Sequence, residues 1–155
     1  MKKITITKAS LCETEKIYDT VKLSFKEYQK LSGMPDVPSA MLETREDIQK
    51  DISENIIFCA WVGEKFTGCV RLKMNGERCY FYRFSVLPKY QGSGVGMALI
   101  EAAADFAKTS GAEILFLHTA QNIAKLASIY MRCGFQLLSV DSTRGYPRAL
   151  MEKKL

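Results

Sequence analysis

The chain has one histidine, one tryptophan and four prolines in 155 residues. Five cysteines stand at Cys12, Cys59, Cys69, Cys79 and Cys133, and none falls in a C-x-x-C spacing. With a single histidine, this pattern argues against a Cys/His zinc site. The odd count argues against a disulfide framework, and the cysteines read as small buried apolar groups in a reducing compartment. No Lys/Arg run exceeds two residues. The longest apolar run, Ile56 to Val62, is far too short to span a bilayer. The opening Met1-Lys2-Lys3-Ile4-Thr5-Ile6 has no apolar stretch behind its lysines, so no signal peptide is expected. These absences point to a cytoplasmic protein that does not engage a membrane.

What is present is ordinary for a globular chain: 47% apolar and 25% charged residues. The length suits one domain, residues 1–155, which should bury roughly 70% of the surface its unfolded form exposes. A net charge of +5, from 22 basic and 17 acidic residues, is a mild bias. It suits an anionic ligand as well as it suits nucleic acid.

Periodicity divides the chain into short elements. Ile4 and Ile6 alternate with polar neighbours, as in a strand. Ser10 and Glu13 form a capping box ahead of Ile17, Val21, Phe25 and Tyr28 at helical spacing. Gly33, Pro35 and Pro38 interrupt, and Thr44 with Asp47 opens a helix carrying Ile48 and Ile52. Ile56 to Val62, Phe66 to Met74 and Arg78 to Leu87 read as a meander, the first as a central strand. Asn75-Gly76 suggests a type I′ turn, which needs two positive φ angles. Tyr80, Tyr82 and Phe84 then share one strand face by simple alternation. A helix with Leu99, Ile100, Ala103, Phe106 and Ala107 follows, then a strand (Glu113 to Thr119), a short helix with Ile123, Leu126, Ala127 and Tyr130, and two closing strands. The order is β-α-α-β-β-β-α-β-α-β-β. It gives an α/β fold, an α+β mixed sheet, in which the strand–helix–strand unit demands a parallel pair.

Between the third meander strand and its helix lies Gln91-Gly92-Ser93-Gly94-Val95-Gly96. A helix N-terminus has free amides and a positive dipole end, and glycines let a diphosphate approach the backbone. A P-loop is excluded because no Lys-Ser/Thr follows Gly96. A dinucleotide fingerprint fails because Met97 stands where its third glycine belongs, and Glu113 lies at the start rather than the end of the next strand.

The segment Val86-Leu87-Pro88-Lys89-Tyr90-Gln91-Gly92-Ser93-Gly94-Val95-Gly96 resembles the acetyl-CoA-binding motif of the GNAT superfamily of N-acetyltransferases. Tyr130-Met131-Arg132-Cys133-Gly134-Phe135 is similar to that family's Tyr-x-x-x-Gly-Phe block. The resemblance implies a splayed central parallel strand pair. It implies that Gln91, Gly92, Ser93, Gly94, Val95 and Gly96 receive the pyrophosphate of acetyl-CoA, that the strand near Val86 pairs with the pantetheine arm, and that Asn122 contacts the arm. No metal is implied. Tyr130 matches the family's general acid toward the departing thiolate. A phenol of pKa about 10 facing a thiol of about 8.5 makes full proton transfer uphill by about 2 kcal/mol, which favours hydrogen-bond donation.

A lysine-like amine is neutral in only about one molecule in 2,500 at pH 7, a deficit of about 4.6 kcal/mol. A base or a water chain is therefore needed. Where relatives often carry a Glu, this chain has Tyr80, so the pocket is expected to be aromatic, with His118 and Glu27 as other candidate bases. The segments expected to shape the acceptor site are Phe25 to Leu42 and Asp141 to Pro147, the second bringing Arg144, Tyr146 and Arg148. The implied acceptor is a small-molecule or peptide amine, with direct transfer in a ternary complex, and many members of the family form homodimers. Tyr80 in place of Glu leaves one alternative, a non-catalytic acyl-CoA sensor. Nucleic-acid binding has only the +5 charge behind it.

Overall fold

The computed structural model describes residues 3–155. Seven strands form one sheet in the order β1-β2-β3-β4-β5-β7-β6. They are β1 (Ile4–Lys8), β2 (Ile56–Val62), β3 (Lys65–Asn75), β4 (Arg78–Val86), β5 (Ile114–Ala120), β6 (Gln136–Asp141) and β7 (Arg148–Lys154). The helices are α1 (Thr14–Ser32), α2 (Ser39–Leu42), α3 (Arg45–Glu54), α4 (Val95–Thr109) and α5 (Ala124–Arg132). This is the expected order with one short helix, α2, added in the Pro-rich stretch. No helix among the described residues is long and apolar enough to cross a membrane.

The run Ile56 to Val62 lies second from the sheet edge rather than at its centre. It is continuously apolar because both of its faces are covered. Phe58 and Ala60 enter the core beneath α4, with Val70, Leu72, Leu99 and Ile100. Ile57 and Cys59 enter the opposite core, with Ile17 and Val21 of α1 and Ile48 of α3. Cys69 and Cys79 are buried, as expected of small apolar groups, but Cys12 is exposed.

The local signals act largely as the sequence suggests. Thr44 accepts the Asp47 amide at 3.1 Å while the Asp47 carboxylate accepts the Thr44 amide at 2.9 Å, closing the box that starts α3. The Ser10–Glu13 box caps a single 3-10 turn that runs on into α1. The β3–β4 turn departs from expectation. Its central residues are Gly76, with φ +63°, and Glu77, which has no positive φ. One positive angle at the first central position is the type II′ pattern, not I′.

Two irregularities position the site. Strands β4 and β5 are parallel, and their pairing covers only Arg78–Tyr80 against Ile114–Phe116. Beyond that the β5-facing edge of β4 has no strand partner. The second irregularity is a bulge in β4: the register with β3 slips between Cys69 and Arg71, and Arg83 has φ +53°. A non-glycine residue held there costs roughly 1–2 kcal/mol. The extra residue reverses the alternation, so Phe84 does not share a face with Tyr80 and Tyr82. Its ring lies 5.4 Å from Phe81 and 5.7 Å from Tyr130 instead, while Tyr80 and Tyr82 stack on each other at 5.3 Å.

Candidate active site

The glycine turn leaves β4 through a 3-10 turn, Pro88–Tyr90, and enters α4 at Val95. The first helical bond is Ala98 N–H to Gly94 C=O at 3.0 Å, so the amides of Val95, Gly96 and Met97 precede any intrahelical acceptor. Gly94 has φ +95°, a conformation that side chains rarely adopt. Gly96 has a different reason to be glycine. A Cβ there would sit 3.0 Å from Ile129 Cδ1 and 3.1 Å from Phe84 Cζ, so its absence lets α4 approach α5 and β4 closely. Ser93 donates its hydroxyl to the Tyr90 carbonyl, which steadies the turn. Gln91 reaches back to the Val86 carbonyl at 3.2 Å and accepts from Lys125 at 2.9 Å. Lys125 also pairs with Glu27 of α1 at 2.8 Å. Glu27 is thereby tied to the turn side of the site.

Two cavities open along the gap between β4 and β5. The first, about 230 Å³, has Gln91, Gly92, Gly94 and Gly96 on one wall and Lys125 and Arg132 nearby. The second, about 200 Å³, is lined by Tyr80, Tyr82, Arg83, His118, Thr119 and Tyr130, and by Arg144, Tyr146 and Arg148. Phe25, Tyr28, Phe84 and Leu126 line both, so the two cavities are neighbours that share a wall. The two segments expected to shape the acceptor side, around α1–α2 and the β6–β7 loop, both reach the second cavity.

Tyr130 is 4% exposed. Its ring meets Phe81 and Phe135 edge-on at 5.9 and 5.7 Å. Burial pushes its phenol well above the ordinary range, so it stays protonated and acts as a donor. His118, on β5, lies with Nδ1 3.4 Å from the Tyr80 hydroxyl. Burial, with the charges of Arg148 and Arg144 behind it, lowers its pKa below the usual imidazole value, so it is neutral at pH 7. Tyr82 donates to Asp51 at 2.9 Å, and burial together with that carboxylate raises its pKa.

The structure thus gathers Tyr80, His118 and Tyr130 at one cavity, and Gln91, Gly92, Gly94, Gly96 and Val86 at the other. Asn122 is used differently from the expectation. Its amide donates 2.8 Å to the Ser32 carbonyl and ties the start of α5 to the end of α1. Sequence reasoning missed Arg71. Fully buried in β3, it binds Glu43 by two bonds of 2.6 Å and Asp51 at 3.0 Å. An arginine between apolar neighbours, Cys69-Val70 and Leu72, was the available signal. Thr119, Lys125 and Arg132 were also missed, because nothing local marks them. Among the described residues no three His, Cys, Asp or Glu side chains converge on a metal position.

The sequence model of the Acetyltransferase (GNAT) family matches residues 17–135. The chain belongs to that family. A curated relative, the uncharacterized N-acetyltransferase YvbK of Bacillus subtilis (strain 168), is 28% identical over 101 residues, covering 61% of this chain and 65% of that protein. The fold is similar to that of the PaiA N-acetyltransferase of Thermoplasma acidophilum, solved with coenzyme A: TM-score 0.84, 22% identity, 99% of each chain. It is also similar to the ribosomal-protein-S18-alanine N-acetyltransferase of Escherichia coli, with TM-score 0.76 and 16% identity over 98% of this chain and 94% of that one. Both likenesses are to the fold as a whole.

Proposed function

We propose that the protein is an acetyl-CoA-dependent N-acetyltransferase that moves the acetyl group directly to a primary amine of a small molecule or peptide in a ternary complex. The observation that carries this reading is the parting of β4 and β5 after three residue pairs. Free helix-terminal amides lie at one cavity beside β4, and the neighbouring cavity holds Tyr130, Tyr80 and His118. Membership of the GNAT family supports the choice of cofactor.

The amides of Val95, Gly96 and Met97, with Lys125 and Arg132 close by, hold the diphosphate. The unpaired edge of β4 hydrogen-bonds the pantetheine arm and aims the thioester along the gap. The amine nitrogen attacks the thioester carbonyl: a C–N bond forms, the C–S bond breaks and the electron pair leaves on sulfur. Tyr130 donates a hydrogen bond to that sulfur as charge develops. Its raised pKa makes full transfer of its proton still less favourable, so donation is its whole task. The proton lost by the amine passes to neutral His118, directly or through the Tyr80 hydroxyl at 3.4 Å, and from there to water.

Titrating the protein with acetyl-CoA in a calorimeter, and following thiol release with a panel of amines, tests the reading. Binding in the micromolar range with amine-dependent thiol release is expected. No heat, or heat unchanged by Gly94→Ala, refutes it.

A further inference from the structure

The acceptor cavity has a charge pattern that nothing in the transfer chemistry requires. Arg144 and Arg148 both line it. Neither has a carboxylate within 4.0 Å among the described residues. A third guanidinium on the wall, Arg83, is 3.6 Å from Glu43 and so partly neutralised. No Asp or Glu lines the cavity at all. Asp141, on the same hairpin, is exposed, accepts the Thr143 amide at 2.8 Å and feels the charges of Arg144 and Arg148 from beyond 4.0 Å, screened by water.

Arg144 stands on the β6–β7 loop and Arg148 at the first position of β7, and the loop between them is held in place. Gly145 has φ +85°, and a Cβ there would lie 2.8 Å from Pro35 Cγ, so the loop presses on the α1–α2 connection. Tyr146, between the arginines, is buried against Ala120, Ile123, Tyr28 and Met34. Pro147 C=O accepts the Gln121 amide at 2.8 Å. Facing them, Thr119 is 2% exposed and its Oγ1 has no partner. The field of the two guanidiniums also reaches His118, whose pKa they help to depress.

We propose that the acceptor is an amine that also carries an oxyanion, a carboxylate or a phosphate ester, held by Arg144 and Arg148 while its amino group lies at His118 and Tyr80. The inference rests on the N-acetyl transfer proposed above. Guanidinium–oxyanion bonds are charge-assisted and directional. A diamine or polyamine would instead bring a second positive charge into a cavity with no carboxylate on its wall.

The test uses straight-chain ω-amino carboxylates of increasing length, their neutral amides, the diamines of matching length, and O-phosphoethanolamine. The phosphate and carboxylate arms separate the two oxyanions. The best anionic amine is expected to exceed its amide in kcat/KM by about tenfold or more, and Arg144→Gln or Arg148→Gln should cut that preference by about tenfold. A second readout needs no turnover. His118 is the only imidazole in the sequence, so its pKa can be followed alone by proton NMR in untagged protein. Straight-chain carboxylates and phosphate monoesters without an amino group should raise it by screening the arginines, and simple monoamines should not. Diamines or amides used as well as carboxylates, a preference surviving both substitutions, or a His118 pKa unmoved by every anion overturns the proposal. Absence of acetyl-CoA binding sinks the transferase reading instead, and the NMR titration still decides this one.

Discussion

Replacing Tyr130 by phenylalanine removes one hydroxyl and leaves a ring that already packs among Phe81, Phe84 and Phe135 at centroid distances of 5.7–5.9 Å. The aromatic contacts survive, so the stability change should stay below about 1 kcal/mol, a Tm shift of only a few degrees. The catalytic consequence is larger. Losing one preorganised donor to developing charge costs about 2.7–4 kcal/mol, or roughly 100- to 1,000-fold in kcat. Tyr130 is 4% exposed, so the bond it makes is little weakened by water and the upper part of that range applies. The KM for acetyl-CoA should change little, because the proposed grip on the cofactor's charged part is at the turn and not at the phenol. The assay is thiol release at saturating amine, with calorimetry for cofactor binding and thermal melting as the folding control. A kcat within about threefold of wild type, with folding and binding intact, would show that the thiolate leaves without help from this hydroxyl. A parallel collapse of Tm would mean that Tyr130 serves the core.

Three further outcomes follow from the same geometry. Gly94→Ala places a side chain at φ +95°; it should cost about 1–2 kcal/mol of stability in urea unfolding and weaken acetyl-CoA binding by calorimetry, since the turn amides move with it. Arg71→Met leaves Glu43 and Asp51 without their buried cation; a loss of about 3–5 kcal/mol is expected, and Arg71→Met combined with Glu43→Gln and Asp51→Asn should regain much of it. His118 has a lowered folded-state pKa, so it is neutral and able to accept a proton at pH 7, and it becomes charged only below about 6.5. The acidic limb of kcat/KM should therefore lie under that value, and an unchanged limb in His118→Gln would clear the residue of a base role.

Signals that act over a few residues were readable in the chain. Capping at Thr44 and Asp47 depends on side chains three positions apart and local backbone. The free amides at Val95, Gly96 and Met97 follow from helix geometry alone. The alternation of Ile57 and Cys59 against Phe58 and Ala60 follows from the pleat. The type of the β3–β4 turn was not decided so locally. Asn75-Gly76 allows two turn types, and the observed register, pairing Asn75 with Arg78, puts Gly76 and Glu77 at the centre.

The arrangement of the site belongs to the tertiary structure, because its parts are distant in sequence and meet only when the sheet closes. Tyr80 and His118 come from strands that pair for three residues and then part. The bulge at Arg83 turns Phe84 away from the tyrosine face, and an arginine at positive φ leaves no mark in a sequence. Arg144 and Arg148 look like ordinary surface charges until the Gly145 contact with Pro35 sets the β6–β7 loop, and with it the start of β7, against the second cavity. The sequence determined the strands, every helix but α2 and the glycine turn, since torsional preference and side-chain periodicity are local. Which side chains face one another across the gap was decided by long-range packing, since contact between distant residues depends on the register and spacing of every element between them.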